Sequence, residues 1–383
     1  MKKTFFSLIF LATALGLMAQ NKPAKVESPL VTEKDFVWYV EQTAAWKDVV
    51  SRQPQDETAW RNYYTAARYI QWYNRHDTTA TQVLREMQQV IPDSYTFNFC
   101  AYRATMQGHW FCEGDENEYA EAALARLPDE MQMADYDIWV CYLAKIGDDT
   151  RMQQLAKRYF DSGLYSEAVL RYNYNELAGM DNDGIYIGNG DVTIIPKWLI
   201  QNGMNQHRDK TIVCVSFLVV KEYREWLFQK LDIALPELKE AECMEDFQAN
   251  ERVMLQAIID KYGSKVYFSP LNPAEMNEPW KQNLYNEGLL LKYSKKSYDN
   301  LAVKRRNVEE RYMMEYLLQT FRPDWSAGQH LSANYAVMLA DLLPYYAKHD
   351  RKRYVWLMQV LAAGVTNTTL PEEHKQEILK LLM

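Results

Sequence analysis

The sequence has no C-x-x-C pair, no H-E-x-x-H and no apolar stretch long enough to cross a bilayer. Its five cysteines, at 100, 112, 141, 214 and 243, are odd in number and scattered, which argues against a zinc ribbon or a dithiol redox couple. Cys100 and Cys112 are the nearest pair for a disulfide, and buried thiols are expected for most of the others. The six histidines, at 76, 109, 207, 330, 349 and 374, show no metal-ligand spacing, so no metal site is expected. A G-x-S-x-G elbow is also missing, and Ser216 lies inside an apolar run, so no catalytic residue is assigned. Positive charge is short as well: 43 Lys plus Arg stand against 51 Asp plus Glu. The only dense basic triplets are Lys304-Arg305-Arg306 and Arg351-Lys352-Arg353, read as solvated helix surface, and no nucleic-acid partner is expected.

The longest apolar stretch, Phe5 to Leu17, follows Lys2 and Lys3 and precedes Leu17-Met18-Ala19, the pattern of a signal peptide. Cleavage is expected before Gln20, leaving an exported chain, periplasmic or secreted, without a membrane span. No cysteine stands near the cleavage point to take a lipid. Loss of Lys2 and Lys3 takes the net charge from −8 to −10.

What is present is core material: 48% hydrophobic residues, with 27 Tyr, 11 Trp and 13 Phe, which excludes disorder over most of the length. A polar linker over 20–30 leads into amphipathic helices over 31–180, for which Trp60, Tyr63, Tyr64, Ala67 and Ile70 illustrate the stripe. Pro54, Pro92 and Pro128 each precede an acidic helix start, at intervals of 38 and 36. One helix hairpin per interval resembles the tetratricopeptide class without its full consensus, and an irregular bundle fits equally. Ala66, Ala67, Ala101, Ala104, Ala122 and Ala123 fall where paired helices approach closely.

Over 181–300 the pattern changes to a small α/β segment of three or four strands. Gly184 to Ile187 reads as a strand, Gly188-Asn189-Gly190 as a turn and Ile195 to Asn202 as a helix. Thr211 to Val220 reads as a strand buried on both faces, with a helix over Glu222 to Leu231. Val266 to Ser269 is a third strand and Leu289 to Tyr293 an edge strand. Helices return over 301–383, at Asn307 to Phe321, Leu331 to Tyr346, Arg353 to Ala363 and Glu372 to Leu382. The expected fold is therefore mainly α, with helical-repeat hairpins and an inserted small α/β segment.

Two turns carry candidate chemistry. Gly188-Asn189-Gly190-Asp191-Val192-Thr193 stands where a dinucleotide turn would, but Thr193 replaces the third glycine, so Asp191 or Thr193 reads better as a helix cap. Asp181-Asn182-Asp183-Gly184 resembles part of a calcium loop, yet the frame puts Gly179 and Gly190 at the first and twelfth ligand positions. No cofactor is expected. The aromatic helices, with Trp60, Tyr63, Tyr64, Tyr69, Trp72, Tyr73, Trp110 and Phe111, form either repeat core or a groove for a peptide or glycan.

Asn189, Gly190, Asp191, Pro196, Trp198 and Gln201 match the motif N-G-D-N-D-T-[FY]-P-x-W-x-x-Q. Asp209, Ser216, Leu218, Tyr223, Tyr267-Phe268, Glu287-Gly288-Leu289 and Asn334-Tyr335 look similar to further family positions. By these residues, 183–350 resembles the soluble C-terminal region of a bacterial protein O-mannosyltransferase-like membrane protein family of unknown function. Val192, Thr193 and Ile194 replace that motif's Asn, Asp and Thr, and the membrane half that would carry transferase activity has no counterpart here. The resemblance implies an accessory domain. The expectation is a non-catalytic interaction scaffold of the cell envelope with a protein partner. The alternative is a carbohydrate-binding protein or glycan-related enzyme with its site at Asn189, Gly190, Asp191 and Trp198.

Overall fold

The computed structural model describes residues 22–105, 116–319 and 322–383, so the expected signal segment, His109, Trp110, Phe111, Cys112 and Phe321 lie outside the described residues. The protein is mainly α-helical with a small mixed sheet, and it divides into two compact units, Met1–Met131 and Gln132–Met383.

The first unit is built of α1 (Phe36–Arg52), α2 (Glu57–Tyr73), α3 (Thr79–Val90), α4 (Tyr95–Thr105) and α5 (Glu116–Leu124). Side chains that accept from otherwise orphaned amides fix the helix starts. Asp35 accepts from Trp38 N at 2.8 Å, Asp56 from Ala59 N at 3.0 Å, and Ser94 from Phe97 N at 2.9 Å. Pro54 and Pro92 stand just ahead of two of these caps, and among the described residues two helices fall in each proline-bounded interval, an arrangement compatible with helical repeats. α2 is enclosed on all sides: its aromatic stripe is core, and Arg61 and Arg68 are buried too, with the Arg61 guanidinium 3.6 Å from the Phe99 ring centre. At its end Trp72 and Tyr73 are exposed.

The second unit opens with α6 (Met133–Lys145), α7 (Asp149–Asp161) and α8 (Glu167–Gly179). The sheet region follows as β1 (Ile185–Gly188), α9 (Asp191–Gly203), β2 (Thr211–Cys214), α10 (Lys221–Lys230), α11 (Met244–Tyr262), β3 (Val266–Phe268), a one-turn α12 (Ala274–Asn277), β4 (Leu284–Asn286) and β5 (Leu291–Tyr293). α13 (Asn300–Arg306), α14 (Ser326–Leu339), α15 (Leu343–His349), α16 (Arg351–Thr366) and α17 (Glu372–Leu379) close the chain. Strand order is β2-β1-β3-β5-β4, parallel across the first three strands and antiparallel across the last two pairings.

Four readings need correction. The apolar run after Thr211 is a strand only to Cys214, where its ladder with β1 ends at Gly188; Val215–Val219 then coils into a 3-10 turn that exposes Ser216 and Val219. The Tyr223 hydroxyl accepts from Cys214 N at 2.9 Å, which satisfies the amide at that stop. β5 is an inner strand, because β4, unread in the sequence, pairs outside it. Beyond α13 the expected helix gives way to a π turn over Asn307–Arg311 and a 3-10 turn over Glu315–Leu318. There Asn307 Nδ2 donates to Glu287 O at 2.7 Å and Asn175 brackets the backbone of Met313, so tertiary bonds replace helical ones. Finally, the helix read over Leu331 to Tyr346 breaks at Ala340–Leu342 ahead of Pro344, which has no amide to continue it.

Candidate functional site

The turn after β1 and the helix it feeds were the strongest candidates in the sequence. Gly190 is the N-cap of α9, with φ 95°, a conformation that favours glycine, and Asp191 opens the first turn. Neither Asp191 nor Thr193 acts as the cap. The Thr193 hydroxyl points back onto the Asn189 and Gly190 carbonyls, at 2.7 and 2.9 Å, instead of accepting from an amide. Gly190 and Asp191 are exposed and Asn189 half-buried, while Trp198, two turns along, is 5% exposed and packs near Phe217. Seven residues of helix separate the Asp191 and Trp198 backbones by about 10 Å. Because α9 returns antiparallel to the strands, the turn sits at the carboxyl edge of the sheet and Trp198 faces a cleft at the amino end of β2. The structure therefore keeps Asn189, Gly190 and Asp191 together and places Trp198 apart from them.

Beside Asp191 lie Tyr165, which is buried, and Cys141, which is half-buried. The Tyr165 hydroxyl donates to the Asp191 carbonyl at 3.3 Å. Burial first, and then the Asp137 and Asp191 carboxylates, push the Tyr165 hydroxyl well up, and burial followed by the Asp191 charge does the same for Cys141. Burial also pushes the Cys214 thiol up to about 12, so these thiols are poor nucleophiles at neutral pH.

Behind β1 lies an ionic cluster that sequence reasoning missed. Lys197 on α9 and Glu176 on α8 have fully buried side chains and meet at 2.5 Å. Lys197 Nζ also donates to Asn173 Oδ1 at 2.5 Å and Thr193 O at 2.9 Å, and it lies 3.9 Å from the Tyr186 ring centre. Pro196 has no amide for the Val192 carbonyl, and Asn173 Nδ2 supplies that bond at 2.9 Å. Burial raises Glu176 against the opposing Lys197 charge, and burial lowers Lys197 against the opposing Glu176 charge. The only signal in the sequence was a lysine set within the apolar stretch Ile194 to Ile200. Sealed from solvent, the pair locks α8 to α9.

Other polar residues that carried the resemblance hold the frame in the same way. Gln201 Nε2 donates to His207 O at 2.9 Å and Lys210 O at 2.8 Å. Asn334 Nδ2 donates to the Tyr172 hydroxyl and Asn175 Nδ2 to the Tyr335 hydroxyl, both at 2.7 Å. The Tyr298 hydroxyl donates to Glu287 at 2.7 Å. In the calcium-like turn, Asp181 accepts from Lys292 at 2.6 Å and from the Tyr267 hydroxyl at 3.0 Å. Burial alone would raise the Asp181 carboxyl, but these donors and Arg311 hold it down. Its charge is already answered by protein cations. Among the described residues no group of three or more His, Cys, Asp or Glu is placed to hold a metal ion.

Compared with known proteins, the chain matches no family model, no curated protein and no solved structure. Among the described residues, no helix is long and apolar enough to cross a membrane.

In the first unit, the residues ahead of α1 are held against the helices. Residues Lys22 to Glu27 have no secondary structure and lie extended against α1 and α2. Gln42 clamps this segment from both sides of its amide: Oε1 accepts from Ala24 N at 2.7 Å, and Nε2 donates to Lys22 O at 3.5 Å. Trp46 Nε1 donates to Ala24 O at 2.9 Å, and Asn62 Oδ1 accepts from Val26 N at 2.7 Å. Val26 is buried with Tyr39, Ala66, Tyr69 and Ile70, flanked by Trp38 and Trp46. The main-chain bonds fall on residues 22, 24 and 26, the period of two that a strand presents, and within this stretch the Val26 side chain is the one that is buried.

Proposed function

We propose that this protein is a non-catalytic interaction scaffold of the cell envelope whose helical-repeat unit grips extended polypeptide. The observation that carries this reading is the hold on Lys22 to Val26. Gln42, Trp46 and Asn62 bond its main chain at alternate residues, and a single aliphatic side chain fills an aromatic pocket. Main-chain bonds supply affinity with little dependence on sequence, and the Val26 pocket selects one side chain. The chain's own segment is then a stand-in for a partner's. The signal-like N-terminus is in keeping with work outside the cytoplasm, and the resemblance of 183–350 to an accessory region is in keeping with a role beside other envelope proteins.

The test uses the full chain with Val26→Ser, which empties the pocket while leaving α1 and α2 untouched, and a labelled peptide Lys-Pro-Ala-Lys-Val-Glu-Ser. Fluorescence anisotropy is expected to show saturable binding to the Val26→Ser protein, at least about tenfold weaker binding to the unaltered chain, and loss of binding when Asn62→Ala is added. A folded Val26→Ser protein that ignores the peptide, or binds it equally well with Asn62→Ala, overturns the reading.

A further inference from the structure

The cleft that Trp198 faces lies in the second unit and is independent of the peptide-gripping surface. Its floor is Trp198, Met152 and Ile212, and its volume is about 120 Å³. At roughly 30 Å³ per water that is room for about four waters, so a ring seated there would enter by one face and stand partly in solvent. One wall is Trp226, half-buried and laid on Gly147. Gly147 has φ +73°, and a Cβ there would stand 3.0 Å from the indole, so glycine at this place lets the indole lie flat against the chain.

The opposite side is a loop from Asn205 to Lys210 whose shape is held at a cost. Asn205 and His207 both have positive φ, 54° and 55°, although neither is glycine. Gln201 clamps two of the loop's carbonyls, and the His207 ring packs 4.9 Å from Tyr174. This backbone delivers Arg208 to the mouth of the cleft. Its guanidinium is fixed by Asn205 Oδ1 and by Gln153 Oε1 on α7, each at 3.2 Å.

Cations dominate the lining in a protein of net charge −8: Arg208, Lys210 and Lys230 against the single carboxylate of Asp149. Lys210 is engaged by Asp209 at 2.6 Å. Lys230 lies 4.6 Å from the Trp226 ring centre and 3.9 Å from Asp149, too far for a tight pair. An anion alone would meet Asp149 unfavourably. A ligand that brings both a carboxylate and hydroxyl donors satisfies the whole set, and the flat apolar indole suits the carbon face of a ring.

We propose that this cleft binds an acidic pyranose, a sugar ring bearing a carboxylate. The ring lies on Trp226, the carboxylate meets Arg208 and Lys230, and the hydroxyls donate to Asp149 and Gln153. Calorimetric titration of the full chain with glucuronate, galacturonate, glucose and inorganic phosphate tests it. One of the uronates is expected to bind at millimolar concentration or tighter, at least about tenfold above glucose, and to weaken with added salt. The double substitution Arg208→Ala with Lys230→Ala is expected to lower its affinity at least about tenfold. Trp226→Ala is expected to lower it as well; if that variant fails to fold, Trp226→Phe with partial retention serves instead. Silence toward both uronates, or affinity unchanged in the folded double variant, overturns the proposal. So does phosphate binding as tightly as either uronate and unaffected by Trp226→Ala, which makes the cleft a bare anion site.

Discussion

Lys197 has no route to water, and its worth to the protein is set by what it leaves behind when removed. Lys197→Met strands the Glu176 carboxylate in a sealed site, and loss of one partner of a buried pair costs about 3–5 kcal/mol. Chemical denaturation is expected to show that loss, and a second change, Glu176→Leu, to restore most of it. Recovery would mark the pair as a lock between α8 and α9 with no chemical duty; an unchanged midpoint in the single variant would contradict the burial described. His207 offers a different residue-level test. Burial first, then the Lys210 charge, hold its imidazole below the ordinary 6.5 against the opposing Asp209. A depressed folded pKa contributes stability present above the unfolded value and lost as pH falls below 6.5 and through the folded one. The thermal midpoint is therefore expected to drop between about pH 7 and 5, and His207→Asn, which suits positive φ, to flatten the drop. An equal drop in both proteins would remove His207 as its source.

At the scale of elements, the segment after α13 shows how tertiary bonds overrule a helical pattern. The Tyr312 hydroxyl reaches into the space beside Gly288, whose φ is 124°, and accepts from Leu289 N at 3.1 Å. Tyr312→Phe leaves that buried amide without its partner, and a cost of about 1–3 kcal/mol is expected in equilibrium unfolding. A cost near zero would mean the amide finds another acceptor. The helices of the first unit were legible because their apolar stripes and the caps at Asp56 and Ser94 are local signals. β1, β3 and α9 were legible for the same reason. The end of β2 was not, since it depends on the length of its partner β1 and on a hydroxyl nine residues away at Tyr223. Of the candidate residues, Asn189, Gly190 and Asp191 are neighbours in the chain and stay together, whereas the cleft beside Trp198 draws Trp226, Arg208 and Lys230 from other elements, and no spacing in the chain links them.

For the whole molecule, the two units pose separate questions, one about extended polypeptide and one about a small acidic ring, and each can fail without the other. The strap from Lys22 to Val26 is covalently joined to the surface it covers. A segment tethered a few residues from the surface it occupies acts at an effective concentration in the millimolar range. An incoming strand sees only the fraction of molecules whose surface stands open, and its apparent dissociation constant rises by the inverse of that fraction. The tether thus sets an entry threshold. On the proposed reading, stray, solitary fragments would be turned away, and the surface would open to a strand delivered at comparable local density, as one anchored beside it or repeated along a filament would be.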